Sequence, residues 1–133
     1  DVTGLSGIWP NAMKQGAIAG SNMCGLKQQY VDRYCMKNTI NFFGLTTLSL
    51  GRGTEEEGDE VLVREDSKSY KKAIIRDGKL DSILLQGDIS YSGIYQYLIK
   101  NQIDLGDKKE RIFELSFADY FGTLPDGQYD YAI

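Results

Sequence analysis

Tyr70-Lys71-Lys72-Ala73-Ile74-Ile75-Arg76-Asp77-Gly78-Lys79-Leu80-Asp81-Ser82-Ile83-Leu84-Leu85-Gln86 decides the fold class. Two runs rich in β-branched and aliphatic residues flank Asp77-Gly78. That dipeptide tolerates positive φ at both central positions of a tight turn, so the stretch predicts a β-hairpin. Gly87-Asp88 ends it. Upstream, Glu60 to Glu65 alternates apolar and polar residues and predicts a further strand. Thr39 to Leu50 is rich in β-branched and aromatic residues and predicts another, with Gly44 as a bulge or close-approach point. Between them, Gly51 to Asp59 is Gly-rich and carries Glu55, Glu56 and Glu57 in a row. It reads as a solvated acidic loop, because nothing sets these carboxylates at calcium-loop spacing.

The ends of the chain read as helix. Pro10 to about Met23 predicts a helix, since proline suits the first helical position. Its small and soft residues (Ala12, Met13, Gly16, Ala17, Ala19, Gly20 and Met23) permit close packing. Gly16 and Gly20 cost roughly 1 kcal/mol each against Ala, which points to positions where backbone approaches backbone. Gly25 is the expected C-terminal cap. Leu26 to Lys37 reads as a connector, with a short strand or turn. Downstream, Ser90 is the expected cap of a helix from Tyr91 to Asn101, with Ile94, Leu98 and Tyr97 facing inward. After a polar turn through Lys109, Ile112, Phe113, Leu115 and Phe117 suggest a short helix. The tail after Gly122 reads as loop. Strands grouped apart from helices give an α+β fold. We expect an N-terminal helix, then a small, mostly antiparallel sheet of about four strands, then one or two C-terminal helices.

Composition narrows the function. The chain has 133 residues and a net charge of −4, the size of one ordinary domain. An acidic balance argues against nucleic acid as the main partner. No apolar run approaches membrane-spanning length. There is no histidine, which removes Ser-His and Cys-His pairs and the usual zinc sites. We expect no metal site. No nucleotide-binding glycine fingerprint, P-loop or nucleophile elbow is present. Asp59, Glu60, Glu65 and Asp66 could form a carboxylate pair, but strand-edge charges are usually only solvated. Cys24 and Cys35 are too few for a disulfide framework and read as buried free thiols of a cytoplasmic protein. Cys24 falls near a helix C-terminus, where its thiol would be less acidic, so a packing role is favoured over a redox one. Asp1 to Gly7 resembles neither a natural start nor a signal peptide, and we expect a piece of a longer chain. Nine tyrosines are compatible with an interface.

One feature suggests chemistry. The helix at Pro10 starts behind a loop containing Gly4 and Gly7, which would expose its N-terminus. Free N–H groups and the helix dipole there favour negative charge, and Trp9 adds a flat aromatic surface. The plain alternative is a proline-initiated helix with a core tryptophan.

The run Gly7-Ile8-Trp9-Pro10-Asn11-Ala12-Met13-Lys14-Gln15-Gly16-Ala17-Ile18-Ala19-Gly20-Ser21-Asn22-Met23 resembles the last segment of the FAD domain in pyridine nucleotide–disulfide oxidoreductases. The branch is that of NAD(P)H–rubredoxin reductases, NADH oxidase-like enzymes and the FAD part of nitrite reductases. Asn41-Phe42-Phe43-Gly44-Leu45, Tyr70-Lys71-Lys72, Ile74 to Leu80 and Leu84 to Asp88 are similar to the small C-terminal domain of that branch. The resemblance covers residues 5 to 100. It implies two parts: 1–37 as the end of the FAD domain, and 38–133 as the small C-terminal α+β domain. It also implies a parent enzyme that binds FAD and oxidises NADH or NADPH, with Ile8, Trp9, Asn11 and Ala12 nearest the flavin. This chain would close the flavin site and form a domain or homodimer interface, with the rest of the enzyme as its partner. Both dinucleotide-binding regions and the redox cysteine segment are absent, so we expect no catalytic residue here and no FAD held by this chain alone. The alternative is a stand-alone protein–protein interaction module. A small independent enzyme using the acidic loop ranks last.

Overall fold

The computed structural model describes residues 8–31 and 37–131. Helix α1, Trp9–Met23, starts at Pro10 in its first turn. It ends with Gly25 N–H donating to the Asn22 carbonyl and Leu26 N–H to the Ser21 carbonyl, a paired closure of orphan carbonyls that stops a helix. The Asn22 side chain then clips the following backbone. It accepts from Gln28 N–H at 2.8 Å and donates to the Gln28 carbonyl at 3.0 Å.

Strands β1 (Lys37–Phe42), β2 (Leu45–Gly51), β3 (Glu60–Glu65), β4 (Tyr70–Arg76) and β5 (Lys79–Gln86) form a five-stranded antiparallel sheet in the order β1-β2-β5-β4-β3. Asp77 and Gly78 both take positive φ, 51° and 74°, and make the expected tight hairpin. The stretch Thr39 to Leu50, read as one strand, is two. Phe43 (φ 51°) and Gly44 (φ 91°) fold it back on itself. Here Phe stands where Asn is usual, which hides the turn from inspection. The Asn41 side chain, which accepts from Gly44 N–H at 2.8 Å, supplies the local support.

Strand β5 carries the one irregularity that places the core. Ile74 pairs with Ser82 and Ile75 with Leu80, leaving Asp81 as an extra residue. This β-bulge lets Leu80 and Ile83 face the same way although they are three residues apart. Both join Leu48, Leu50, Ala73, Ile75 and Leu85 in one apolar layer.

Helix α2, Gly93–Asn101, covers that layer against β2 and β5. It begins two residues later than the sequence suggests. Tyr91 has φ 59°, and Ser90 is not the cap; its N–H donates instead to Asp88 Oδ1 at 2.9 Å. Ile94, Tyr95, Leu98 and Ile99 are buried, while Tyr97 is only half-buried. The polar turn through Lys109 is a 3-10 helix, Gly106–Glu114, that buries Ile112. Leu115 is extended, and a short 3-10 turn follows at Phe117–Asp119. The tail, expected to be loop, forms a small hairpin of β6 (Phe121–Thr123) and β7 (Tyr129–Tyr131). The α+β class stands, with five strands in the main sheet. Among the described residues no helix is long and apolar enough to cross a membrane.

Candidate functional site

The four residues expected nearest a flavin lie at the start of α1. Ile8 is the half-buried N-cap, in extended conformation, and gives no side-chain cap. Its carbonyl accepts from Ala12 N–H at 3.1 Å. No acidic side chain occupies the first turn, so the positive end of the helix dipole is not offset by a carboxylate of its own. Trp9 is 78% exposed and is no core tryptophan. Ala12 is half-buried. Asn11 is buried, and its Nδ2 has no hydrogen-bond partner among the described residues. A buried amide donor without an acceptor is costly and calls for a partner. These features fit an anionic or carbonyl-bearing group at this end of the helix.

Much of the rest of α1 is exposed, with Gln15, Ile18 and Ser21 half-buried. Met13 and Met23 are exposed, a methyl group added at Gly16 or Gly20 would meet nothing within 4 Å, and no strand packs extensively along the helix. The small-residue face is therefore open in this chain. Cys24, expected to be buried, is exposed. Cys35 and the glycine approach loop lie outside the described residues. Of the tyrosines, Tyr95 and Tyr120 are core residues rather than interface ones, while Tyr91 is exposed.

Asp59, Glu60 and Asp66, with Glu55 and Glu56 of the loop, are held in ion pairs or turns, while Glu65 is exposed on β3. Asp59 takes Arg76 at 2.6 Å, Glu60 takes Lys109 at 2.9 Å, and Asp66 accepts from Ser69 Oγ at 2.6 Å. That last bond and the Lys68 N–H hold the Asp66 carboxyl below its usual range. Glu55 pairs with Lys72, and Glu56 with Arg76 at 3.3 Å. Among the described residues no group of three or more Asp, Glu, His or Cys could hold a metal ion.

Sequence reading missed one polar centre. Asp81, the bulge residue, is 4% exposed. Its Oδ1 receives Arg52 Nε at 3.0 Å and Arg76 Nη1 at 3.4 Å. Arg52 and Arg76 also hold Glu56, Asp59 and the Thr54 carbonyl, so the acidic loop is clasped to the sheet. Burial pushes the Asp81 carboxyl up, against the opposing pull of Arg52. A cavity of about 150 Å³ adjoins it, lined by Arg52, Arg76, Asp77, Lys79, Asp81 and Gln102. The signal in the sequence is a carboxylate set between Leu80 and Ser82 in a strand whose alternation it interrupts. The arrangement fastens the loop to the sheet.

Comparison with known proteins fits this picture of a small domain with an added helix. Residues 37–103 match the profile of the Rubredoxin NAD+ reductase C-terminal domain family. The chain belongs to this family. The match begins at β1 and ends just past α2, and similarity to whole proteins extends further. The chain is 35% identical over 112 residues to the NADH-dependent phenylglyoxylate dehydrogenase subunit epsilon of Aromatoleum evansii, covering 80% of this chain and 26% of that protein. It is 29% identical over 126 residues to the pyridine nucleotide-disulfide oxidoreductase domain-containing protein 1 of Drosophila melanogaster, covering 86% of this chain and 26% of that one. The protein of the same name in Dictyostelium discoideum is 28% identical over 146 residues, with 86% and 27% covered. The chain spans about a quarter of the length of the curated relatives it matches.

Proposed function

We propose that this chain is the C-terminal part of an FAD-dependent NAD(P)H oxidoreductase, in which it closes the flavin site and supplies a domain interface. The observation that carries the reading is α1. A helix on which only Asn11 is fully buried offers a carboxylate-free N-terminal turn, an exposed Trp9 and an Asn11 amide without a partner among the described residues. Membership of the family supports the same reading. When bound, FAD would supply hydride acceptance from NADH or NADPH and onward electron transfer. The residues here would act on it without reacting. First-turn N–H groups of α1 would stabilise negative charge on the flavin ring by fixed dipoles. Asn11 would orient through its side-chain amide, Trp9 would cover an apolar edge and exclude water, and Ile8 and Ala12 would pack beside them. The open face at Gly16 and Gly20 would let the helix lie close against the preceding domain.

The test is flavin content of the full-length protein beside Asn11→Leu and Trp9→Ala variants. The wild type should carry visible flavin absorbance that NADH bleaches, and both variants should retain less flavin after dialysis. A full-length protein that purifies without flavin, or that holds it equally well in all three forms, would sink the proposal.

A further inference from the structure

The side of the main sheet away from α2 has a small buried centre of its own. Ile74 is 2% exposed, yet it is no part of the apolar layer under α2, which takes its neighbours Ala73 and Ile75. Alternation along β4 turns Ile74 to the opposite face, together with Lys72 and Arg76. Its cross-strand partners on that face are Val61 and Ser82. Ser82 is buried as well.

The cover is the acidic loop. Lys72 holds Glu55, while Arg76 holds Glu56, Asp59 and the Thr54 carbonyl. These two cations flank Ile74 on one face of β4, so the loop crosses above it. Between loop and sheet lies a slot of about 120 Å³, lined by Ser49, Gly53, Lys72, Ile74, Ser82 and Leu84. No large apolar side chain occurs in residues 52–59, so charge and backbone hydrogen bonds hold the loop down. Its ties fall in two grades. At the ends, Arg52 meets Asp81 and Arg76 meets Asp59, and both carboxylate side chains are only 3–4% exposed. In the middle, the Glu55 and Glu56 side chains are more than half exposed, where an ion pair is worth little and salt screens it. Gly53 and Gly58 bound that middle part. Both take positive φ, and a Cβ at either would meet nothing within 4 Å, so the backbone can turn there without collision.

We propose that Thr54 to Glu57 is an ionically latched strap, which lifts about Gly53 and Gly58 while the two end anchors hold, and so uncovers Ile74. Lifted, it leaves Ile74 continuous with Leu84 and with Val61 and Val63, the two valines being exposed already. The closed strap hides the middle of that apolar strip. Opening of this kind is local and leaves the sheet folded. No flavin takes part in it.

The test reads access to position 74 in the intact chain, with Cys24→Ser and Cys35→Ser as background. The Ile74→Cys variant is treated with iodoacetamide, a neutral reagent that the charge of the loop does not repel. Ala73→Cys, on the core face, reports opening by global unfolding. Labelling at position 74 should outrun that at position 73 and rise several-fold from low to high salt. Adding Glu55→Gln and Glu56→Gln should raise the low-salt rate about tenfold, the combined worth of two exposed pairs, and remove most of the salt dependence. Glu57 has no partner among the described residues, so Glu57→Gln removes a like charge and should change little. If Ile74→Cys fails to fold, Ser82→Cys probes the same slot and carries the same comparison. Equal labelling on the two faces, a rate that ignores salt, or a Glu57→Gln effect as large as that of the double change would each overturn the proposal.

Discussion

Replacing Gly51 by alanine should be far more damaging than the same change two residues later. Both glycines take positive φ, 82° at Gly51 and 72° at Gly53. The left-handed backbone penalty of about 1–2 kcal/mol therefore applies to each. Their surroundings differ. A Cβ at Gly51 would collide with the Asp81 carbonyl oxygen and stand 2.7 Å from Ser82 Cα, whereas one at Gly53 meets nothing within 4 Å. The collisions are with backbone of β5, so relief means opening the β2–β5 pairing beside the bulge. One or two ladder bonds and the Arg52–Asp81 contact would suffer, at about 1 kcal/mol for each ordinary bond and more for a charged one. The sum for Gly51→Ala is roughly 4 kcal/mol, against about 1–2 for Gly53→Ala. Domain stabilities of this kind total only about 5–15 kcal/mol. Urea unfolding followed by circular dichroism reads the difference directly. Equal losses in the two variants would refute the reasoning, because the collision would then cost nothing beyond the shared φ term.

Three other outcomes are expected. Leu98→Ala removes a fully buried side chain between α2 and the sheet and should cost about 2–5 kcal/mol, seen in the same unfolding assay. Burial pushes the Tyr95 hydroxyl up to about 12, where it donates to the Ile112 carbonyl at 2.9 Å. A raised folded value means this contribution is whole below the unfolded value of about 10 and is lost as pH rises through 12. Tyr95→Phe should flatten the alkaline decline between those limits in a stability–pH profile. The Ser116 backbone N–H and Arg111 hold the Asp119 carboxyl below its ordinary range. That contribution is present above the unfolded value of about 3.9 and fades as pH falls through the folded one, so Asp119→Asn should blunt the acid-side loss.

Much of the fold was legible because local and tertiary preferences agreed. Asp77-Gly78 makes the turn its chemistry dictates, and Glu60–Glu65 is a strand with the bounds its alternation suggests. Phe43-Gly44 went unseen because a phenylalanine occupies a turn position that favours asparagine. The missed clasp has a similar cause. Arg52, Asp59, Arg76 and Asp81 are spread over thirty positions of sequence, and only the pairing of β5 with both β2 and β4 brings them together. The start of α2 was misplaced because Ser90 looked like a cap and proved to serve the Asp88 turn instead. At the candidate site, Ile8, Trp9, Asn11 and Ala12 form one helix start by sequence adjacency alone. The burial of Asn11 beside an exposed Trp9 needed coordinates.

The extra residue in β5 has a consequence for how this strand tolerates change in length. Removing a residue away from the bulge, anywhere else between Lys79 and Gln86, would shift everything on one side of the cut to the wrong face of the sheet. Removing Asp81 would not. Ile83 and Leu80 would still point inward, and Ser82 and Lys79 outward, in an ordinary alternating strand. Asp81 is thus a spare position in the frame, and the chain has used it to set a carboxylate at the edge of an apolar core without displacing a single core residue. The acidic loop is fastened to the sheet at the one place where the strand could accept a polar side chain without disturbing its neighbours.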